Sequence, residues 1–187
     1  MGNGDADNIG RAIHTNGHFD SSVRTFLFTD IVGSTDLTQT VGDAKAMTIL
    51  RKHNEIVRSN LIAHDGKEVK HTGDGIMANF VSAFKAVSCA REIQKGLKSF
   101  RDSNPDYPLH VRIGLNTGEP VTEGDDFFGV AVQLAARICN KAGSNQVLVS
   151  NIVKELCMGK NINFIDFGQT ELKGFNSPVS VYEVDCS

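Results

Sequence analysis

Hydrophobic and polar positions along this chain follow first a strand pattern and then a helix pattern. Residues 24–32 (RTFLFTDIV) are mostly apolar and rich in β-forming residues, which predicts a strand buried on both faces. A turn at 33–35 ends this strand, and from Asp43 to about Ala63 the apolar residues recur at helical spacing. We therefore expect a buried strand followed by an amphipathic helix. The positions that share the predicted helix face are Ala46, Ile49, Leu50, His53, Ile56, Val57, Asn60 and Leu61.

The next apolar segments predict a β-hairpin and a second helix. Short strands at 67–71 and 76–81 flank the sequence TGDG, so residues 72–75 form the predicted hairpin turn and Asp74 lies at its tip. Ser82 is a candidate N-cap for the helix that follows. The apolar residues of this helix repeat on one face, as expected for packing on a sheet. They are Ala86, Ala90, Ile93, Leu97 and Phe100.

The remaining segments complete an alternating order of strands and helices. A strand is predicted at 110–118, then a Gly- and Asp-rich link and a helix from about 128 to 142. Further strands are predicted near 146–150, 163–168 and 179–185. The order β-α-β-β-α-β, followed by α-β-α-β-β, contains the central hairpin of a split βαβ unit. We therefore predict an α+β fold with a ferredoxin-like, palm-type split βαβ core and a mostly antiparallel sheet with flanking helices.

Composition indicates the domain organisation. At 187 residues with 40% hydrophobic content, the chain is long enough for one domain with a substantial core. Residues 1–22 are rich in Gly, Asn, Asp and Ser without sustained periodicity, so they bury too little surface to offset the entropy of ordering. We predict a flexible N-terminal segment at 1–22 and a single folded domain at 23–187.

Charge and cysteine content limit the partners and the compartment. The net charge is −3 and Lys and Arg are spread along the sequence, which argues against a nucleic-acid partner. The four cysteines contain no CxxC pair, which favours reduced thiols used for packing. No apolar run approaches the roughly 18 residues of a membrane span, and the signal-peptide pattern is absent. We therefore expect a cytoplasmic location, with no membrane segment in this chain.

Two acids stand at the ends of predicted strands. Asp30 lies near the end of the first strand and Asp74 at the hairpin tip, and the split βαβ order places both at one end of the sheet. Paired carboxylates repel unless a cation lies between them, and Mg²⁺ accepts such oxygen ligands while keeping positions open for phosphate. This arrangement is typical of a two-metal phosphoryl-transfer site. The alternative is local: Asp74 supports its turn and Asp30 caps the next segment, and periodicity does not separate the two interpretations.

The segments FTDIVGST (28–35) and KHTGDGIM (70–77) together resemble the class III nucleotide cyclase catalytic domain. The resemblance extends over about residues 23–185, and the separation of 44 positions between Asp30 and Asp74 matches the spacing of the family's two metal-binding aspartates. It implies that these acids bind two Mg²⁺ or Mn²⁺ ions, with the main-chain carbonyl of Ile31 as an additional ligand.

The resemblance also assigns Lys70 and Asp126 to selection of the purine base. An ammonium group can donate to N1 of adenine and a carboxylate can accept from its 6-amino group, whereas guanine presents the opposite groups. Each buried mismatch costs roughly 1–3 kcal/mol, so the pair favours ATP over GTP. Without the resemblance, a solvated strand lysine is the better interpretation of Lys70.

Four further residues are implied as catalytic or triphosphate-binding. Gln133 and Arg137 lie one helical turn apart; Arg137 matches the family's transition-state arginine, and Gln133 stands where the family usually has its ribose-orienting asparagine. The longer side chain shifts the amide by about one C–C bond, and a misplacement of about 1 Å can cost on the order of 10²-fold in rate. Arg112 and Lys173 match residues that contact the triphosphate. Without the resemblance, the helical pair is a surface face and the other two are exposed charges.

The implied activity is that of an adenylate cyclase, which converts ATP into 3′,5′-cyclic AMP and pyrophosphate by two-metal-ion catalysis. In the family, the metal aspartates and the other site residues come from opposite subunits, so a chain with both sets implies a head-to-tail homodimer. The alternatives are a guanylate cyclase, or a catalytically weak nucleotide-binding regulatory module on the same fold. A diguanylate cyclase is disfavoured because TGDG is not the Gly-Gly-Asp/Glu-Glu-Phe hairpin of that class.

Overall fold

The computed structural model describes residues 22–187, so the segment predicted to be flexible at 1–22 lies outside the described residues except for Ser22. The strands and helices follow in the order β1 (Arg24–Ile31), α1 (Ser34–Val41), α2 (Asp43–Ala63), β2 (Lys67–His71), β3 (Ile76–Phe80), α3 (Ala83–Ser103), β4 (Val111–Gly118), β5 (Val121–Glu123), β6 (Asp126–Phe128), α4 (Val130–Lys141), β7 (Val147–Ser150), α5 (Asn151–Leu156), β8 (Phe164–Thr170) and β9 (Val179–Val184).

The main sheet has the strand order β2-β3-β1-β4-β7-β9-β8, and β5 pairs with β6 in a separate small hairpin. Strand β4 runs parallel to β7, whereas the other neighbouring strands of the main sheet are antiparallel. This arrangement confirms the predicted α+β fold with a split βαβ core and a mostly antiparallel sheet. It places β1 between the β2–β3 hairpin and β4, so residues from these elements meet at the end of β1.

The two faces of the main sheet are covered differently. Helices α2 and α3 bury the larger apolar cluster on one face, with Ile49, Val57, Ile93 and Leu97 among its members. On the other face, α4 packs on β1 and β4. The smaller cluster on that side joins the sheet to this helix through Phe26, Phe28, Met77, Val132, Ala135 and Cys139.

Three elements differ from the sequence-based expectation. Helix α1 replaces the turn predicted after β1. None of its residues is fully buried and only Leu37 and Val41 pack partly against the core, which is too few apolar positions for periodicity to detect. Strands β5 and β6 lie within the predicted Gly- and Asp-rich link and are three residues each, which is too short for an alternation pattern. The predicted N-cap of α3 is confirmed, because the Ser82 hydroxyl accepts a hydrogen bond from the main-chain nitrogen of Lys85.

The cysteines behave as packing residues. All of those in residues 22–187 have free thiols, and Cys89, Cys139 and Cys157 are buried. Burial raises the pKa of Cys89 to about 12, and burial is also the largest cause that raises the pKa of Cys139 to about 12. Among these same residues, no helix combines the length and the apolar character that crossing a membrane requires.

Candidate active site

The turn between β2 and β3 carries Asp74 against the end of β1. Gly73 has a φ of 82°, in the left-handed region that glycine adopts most readily. At Gly75 a Cβ atom would lie 1.9 Å from the carbonyl oxygen of Thr29, so this close approach of two backbones requires glycine. The two glycines therefore allow Asp74 to lie next to Asp30, which is the penultimate residue of β1.

Asp30 and Asp74 interact directly. Burial is the largest influence on Asp30 and raises the pKa of its carboxyl group, while a hydrogen bond from Arg112 lowers that pKa. Asp74 raises the pKa again, both as a neighbouring negative charge and as a hydrogen-bond partner. The net result is a raised pKa for Asp30, as expected where two carboxyl groups share one site. The structure thus brings together the two acids that the sequence predicts as metal ligands.

Arg112 lies opposite Asp30 in the antiparallel register of β1 and β4. Its Nε and Nη2 atoms lie 2.7 and 2.6 Å from Asp30 Oδ2. Its Nη1 atom donates to the carbonyl oxygen of Asn140, near the C-terminal end of α4, at 3.0 Å. The sheet register therefore places Arg112 on an acid of the predicted metal site, whereas the sequence predicts that it contacts the triphosphate. That role stays a prediction.

The donor atoms at this end of β1 fit a small divalent cation. Asp30 and Asp74 offer carboxylate oxygens, and Ile31, whose carbonyl is the additional ligand predicted from the sequence, is the buried last residue of β1. Within residues 22–187 no three His, Cys, Asp or Glu side chains cluster into a complete metal cage. Mg²⁺ usually binds through one or two carboxylates together with substrate phosphates. The pair of acids therefore suits Mg²⁺ or Mn²⁺ held jointly with a phosphorylated ligand.

Lys70 and Asp126 form an ion pair although they are 56 positions apart in the sequence. Lys70 Nζ lies 2.5 Å from Asp126 Oδ2, and the hydrogen bond from Lys70 is the largest cause that lowers the pKa of Asp126. The second carboxylate oxygen accepts a hydrogen bond from the main-chain nitrogen of Phe127 at 2.8 Å. The Lys70 and Asp126 side chains are 42% and 32% exposed, so a ligand can reach both. The structure thus joins the two residues predicted to select the base.

The β5–β6 hairpin holds Asp126 in place because an aromatic contact fixes this hairpin on the main sheet. Phe127 packs edge-to-face on Phe26 of β1, with ring centroids 5.5 Å apart. The next residue, Phe128, is 44% exposed, and Lys70 Nζ lies 5.1 Å from the centroid of its ring. An ammonium group, a carboxylate and an exposed ring therefore meet on one surface, which suits a planar base with a hydrogen-bonding edge.

The remaining predicted site residues are accessible. Gln133 and Arg137 lie on α4, where Gln133 is exposed and Arg137 is half-buried, and Lys173 is exposed in the β8–β9 connection. Among residues 22–187, none of these three side chains has a hydrogen-bond or ion-pair partner. No such bond links them to the acids within this part of the chain, so their predicted roles stay predictions.

Two residues beside the acids are missed by sequence reasoning as site residues. His53 belongs to the buried face of α2 together with Ile49, Val57 and Leu61, and a polar side chain on that apolar face is the signal that could have identified it. Thr29 lies within the buried strand β1 and gives no comparable signal. A hydrogen bond joins His53 to Thr29, and the Thr29 hydroxyl group accepts one from the main-chain nitrogen of Ile76, the first residue of β3 after the turn that carries Asp74.

Comparison with known proteins places this geometry in a family. The model of the adenylate and guanylate cyclase catalytic domain matches residues 20–185. An adenylate cyclase of Mycosarcoma maydis is 34% identical over 155 residues, which cover 70% of this chain and 6% of that protein. This chain therefore spans a small part of the longer relative.

Solved structures share the fold. The adenylyl cyclase CyaB from P. aeruginosa superposes with a TM-score of 0.79 at 26% identity, covering 87% of this chain and 93% of that chain. The guanylate cyclase domain of RhGC from Catenaria anguillulae, solved in complex with GTP, gives a TM-score of 0.76 at 20% identity. The match covers 88% of this chain and 96% of that domain, and at this identity it shows the fold alone.

Proposed function

This chain belongs to the adenylate and guanylate cyclase catalytic domain family, and from that premise we propose that residues 23–187 form the catalytic domain of an adenylate cyclase. The reaction converts ATP into 3′,5′-cyclic AMP and pyrophosphate. The ribose 3′-oxygen attacks the α-phosphorus in line with the leaving group, the bond to pyrophosphate breaks, and the 3′-hydroxyl proton passes to solvent. No covalent intermediate with a side chain is required.

The ion pair of Lys70 with Asp126 is the observation that carries the choice of ATP. The Lys70 ammonium group can donate to adenine N1, and Asp126 can accept from the 6-amino group. Because the two groups already contact each other, a base that inserts between them must replace their mutual bond. Adenine supplies matching partners for both, whereas guanine leaves both mismatched, at roughly 1–3 kcal/mol for each unpaired group.

The remaining residues have assigned roles in this mechanism. Asp30, Asp74 and the Ile31 carbonyl would hold Mg²⁺ or Mn²⁺, which lowers the pKa of the ribose 3′-hydroxyl and neutralises the leaving pyrophosphate when bound. The Arg137 guanidinium group stabilises charge on the α-phosphoryl oxygens.

Three polar side chains position the substrate. The Gln133 amide orients the ribose. Arg112 and Lys173 bind the triphosphate, and Arg112 exchanges its contact with Asp30 for one with phosphate.

The site is completed by a second copy of the chain in head-to-tail arrangement. Accessible Gln133, Arg137 and Lys173, with no bonded partner among residues 22–187, are suited to reach the acids of the other copy. Apolar side chains near Asp126 also support an interface with a second copy, which would cover them. Val121 is 61%, Phe128 44% and Val130 67% exposed.

A product assay tests this function. The purified protein is incubated with ATP or GTP, each with Mg²⁺ or Mn²⁺, and the cyclic nucleotides are separated by chromatography. We expect cyclic AMP from ATP and at least about tenfold less cyclic GMP from GTP. Predominant cyclic GMP would identify a guanylate cyclase, and no cyclic product under any condition would favour a regulatory module. Asp74→Asn serves as the control that removes a metal ligand and the product with it.

A further inference from the structure

His53 is a fully buried polar residue on an apolar helix face. Its side chain is 0% exposed and lies between α2 and β1, where Ile49 and Val57 on the same face of α2 are also buried. Burial is the largest cause that lowers the pKa of His53, and burial favours the neutral imidazole. A buried imidazole is costly unless both ring nitrogens have partners.

Both ring nitrogens of His53 have a partner, and together these bonds form a directed chain. His53 Nδ1 lies 3.0 Å from Oδ1 of Asn54, and Nε2 lies 3.0 Å from the Thr29 hydroxyl oxygen. The same hydroxyl oxygen accepts a hydrogen bond from the main-chain nitrogen of Ile76 at 2.9 Å. With Nδ1 protonated, every group is satisfied once: Ile76 donates to Thr29, Thr29 donates to His53, and His53 donates to Asn54.

This chain of bonds lies where the main-chain ladder between β1 and β3 ends. The last residue pair in the register of these strands is Phe28 with Met77. One residue further on, the Thr29 side chain, not a strand backbone, accepts from the Ile76 nitrogen. Thr29 directly precedes Asp30, and Ile76 follows Asp74 by two positions.

We propose that His53 is a positioning residue which, through the Thr29 hydroxyl, fixes the end of β1 against the start of β3 and so sets the separation of Asp30 and Asp74. The inference rests on the proposed function only in that the two acids bind the catalytic cations. His53 makes no hydrogen bond with either acid, and it acts through Thr29 and the first residue of β3. A leucine would fill the same space, but the Thr29 hydroxyl group would lose the acceptor for its proton. The hydroxyl group could then turn to another partner and stop accepting from the Ile76 nitrogen.

Substitution of His53 with and without an acceptor tests the proposal. His53→Phe keeps the volume and removes the acceptor, whereas His53→Gln places an amide oxygen near the position of Nε2. Val57→Ala, one helical turn along the same buried face, is the control for a general loss of packing. All four proteins are first compared by circular dichroism and thermal unfolding, so that only folded samples are used.

The first readout is hydrogen exchange in the metal-free protein, which needs no activity. In His53→Phe we expect the Ile76 amide to exchange at least about tenfold faster relative to the Ala78 amide in the middle of β3. His53→Gln should restore the ratio, and Val57→Ala should change both amides by one factor. Equal acceleration of the two amides in His53→Phe would overturn the proposal, since His53 would then be ordinary core.

The second readout is Mn²⁺ affinity, measured by titration of the protein without nucleotide. Partners that orient metal ligands typically change affinity or activity by about 10–100-fold when removed, so His53→Phe should weaken Mn²⁺ binding by this factor and His53→Gln should recover it. Unchanged affinity in His53→Phe, or no binding by the wild type, would overturn the proposal. If the wild type binds Mn²⁺ but forms no cyclic nucleotide, only the proposed function fails. The role of His53 is still decided by comparing hydrogen exchange and Mn²⁺ affinity between the variants.

Discussion

Arg112 Nη2 lies 2.6 Å from Asp30 Oδ2, so one acid of the candidate metal site carries a counter-ion from the neighbouring strand. Without bound nucleotide, the Arg112 guanidinium group would compete with a cation for Asp30 Oδ2. In the proposed enzyme it has a second partner in the triphosphate. In the proposed enzyme the contact would therefore link the binding of the cation to the binding of the nucleotide through one side chain.

Arg112→Met separates these two effects. Methionine has a similar length without charge, so we expect the KM for ATP to rise about tenfold, as for the loss of a charge-assisted hydrogen bond. Affinity for Mn²⁺ without nucleotide should not fall, because the competing guanidinium group is gone. Steady-state kinetics and Mn²⁺ titration measure the two. Arg51→Met, at an exposed position on α2, should change neither. An unchanged KM in Arg112→Met would exclude the predicted triphosphate contact.

Lys70→Glu tests base selection at the Lys70–Asp126 pair. The substitution removes the donor for adenine N1 and places a second carboxylate beside Asp126. At roughly 1–3 kcal/mol per unpaired group, kcat/KM for ATP should fall by about ten- to a hundredfold. Cyclic AMP formation at several ATP concentrations measures the change.

The matched control for this substitution is Lys67→Glu. Lys67 is exposed on the same strand, and its side chain has no bonded partner within residues 22–187. Because both variants replace a lysine with a glutamate, the change in net charge is identical. We expect its kcat/KM to stay within about twofold of the wild type. Equal losses in both variants would indicate a general charge effect and not recognition of the base.

The fold was predictable where burial imposes a pattern. The apolar run of β1 and the helical repeat of α3 both pack into the core, and their sequences show it. Helix α1 fully buries none of its side chains and packs only Leu37 and Val41 partly against the core, so no clear hydrophobic period marks it. The β5–β6 hairpin is held by tertiary contacts that local sequence does not encode, among them Phe127 with Phe26 and Asp126 with Lys70.

The candidate site was predictable only in part. The split βαβ order is enough to bring Asp30 and Asp74 to one end of the sheet, and the structure confirms that they meet. The contact of Arg112 with Asp30 depends on the register of β1 and β4. Hydrophobic alternation indicates which face of the sheet a residue lies on, but not which residue it pairs with on the next strand. His53 gives a signal as a polar residue on an apolar helix face, but its partner Thr29 lies on another element, and local sequence does not encode that pairing.

The buried thiols predict resistance to alkylation and a specific pH dependence of stability. Cys89 and Cys139 have pKa values raised to about 12 from 9.0, mainly by burial, so neither should react with a thiol reagent at pH 8 until the chain unfolds. The unfolded chain loses these protons above pH 9 while the folded chain keeps them. The free energy of unfolding should therefore fall as the pH rises from about 9 to about 12. Rapid labelling of Cys139 in the folded protein would contradict its burial.

Mixing two inactive variants tests the sharing of the site between copies. Asp30→Ala removes a proposed metal ligand and Arg137→Ala removes the arginine proposed for the transition state. If each site takes its acids from one copy and its arginine from the other, a heterodimer of these variants has one intact site. Random exchange makes about half of the dimers heterodimers, so about a quarter of the wild-type sites should be recovered. Cyclic AMP formation after mixing, against each variant alone, measures the recovery.

The control for this experiment mixes Asp30→Ala with Asp74→Ala. Both substitutions fall on the same half of the shared site, so each site in this heterodimer lacks one acid and no activity should return. Recovery in this second mixture would mean that the two acids act in different sites, against their direct interaction in the structure. No recovery in the first mixture, with exchange of subunits verified by mass spectrometry, would mean that each copy completes its own site and that the head-to-tail arrangement is wrong.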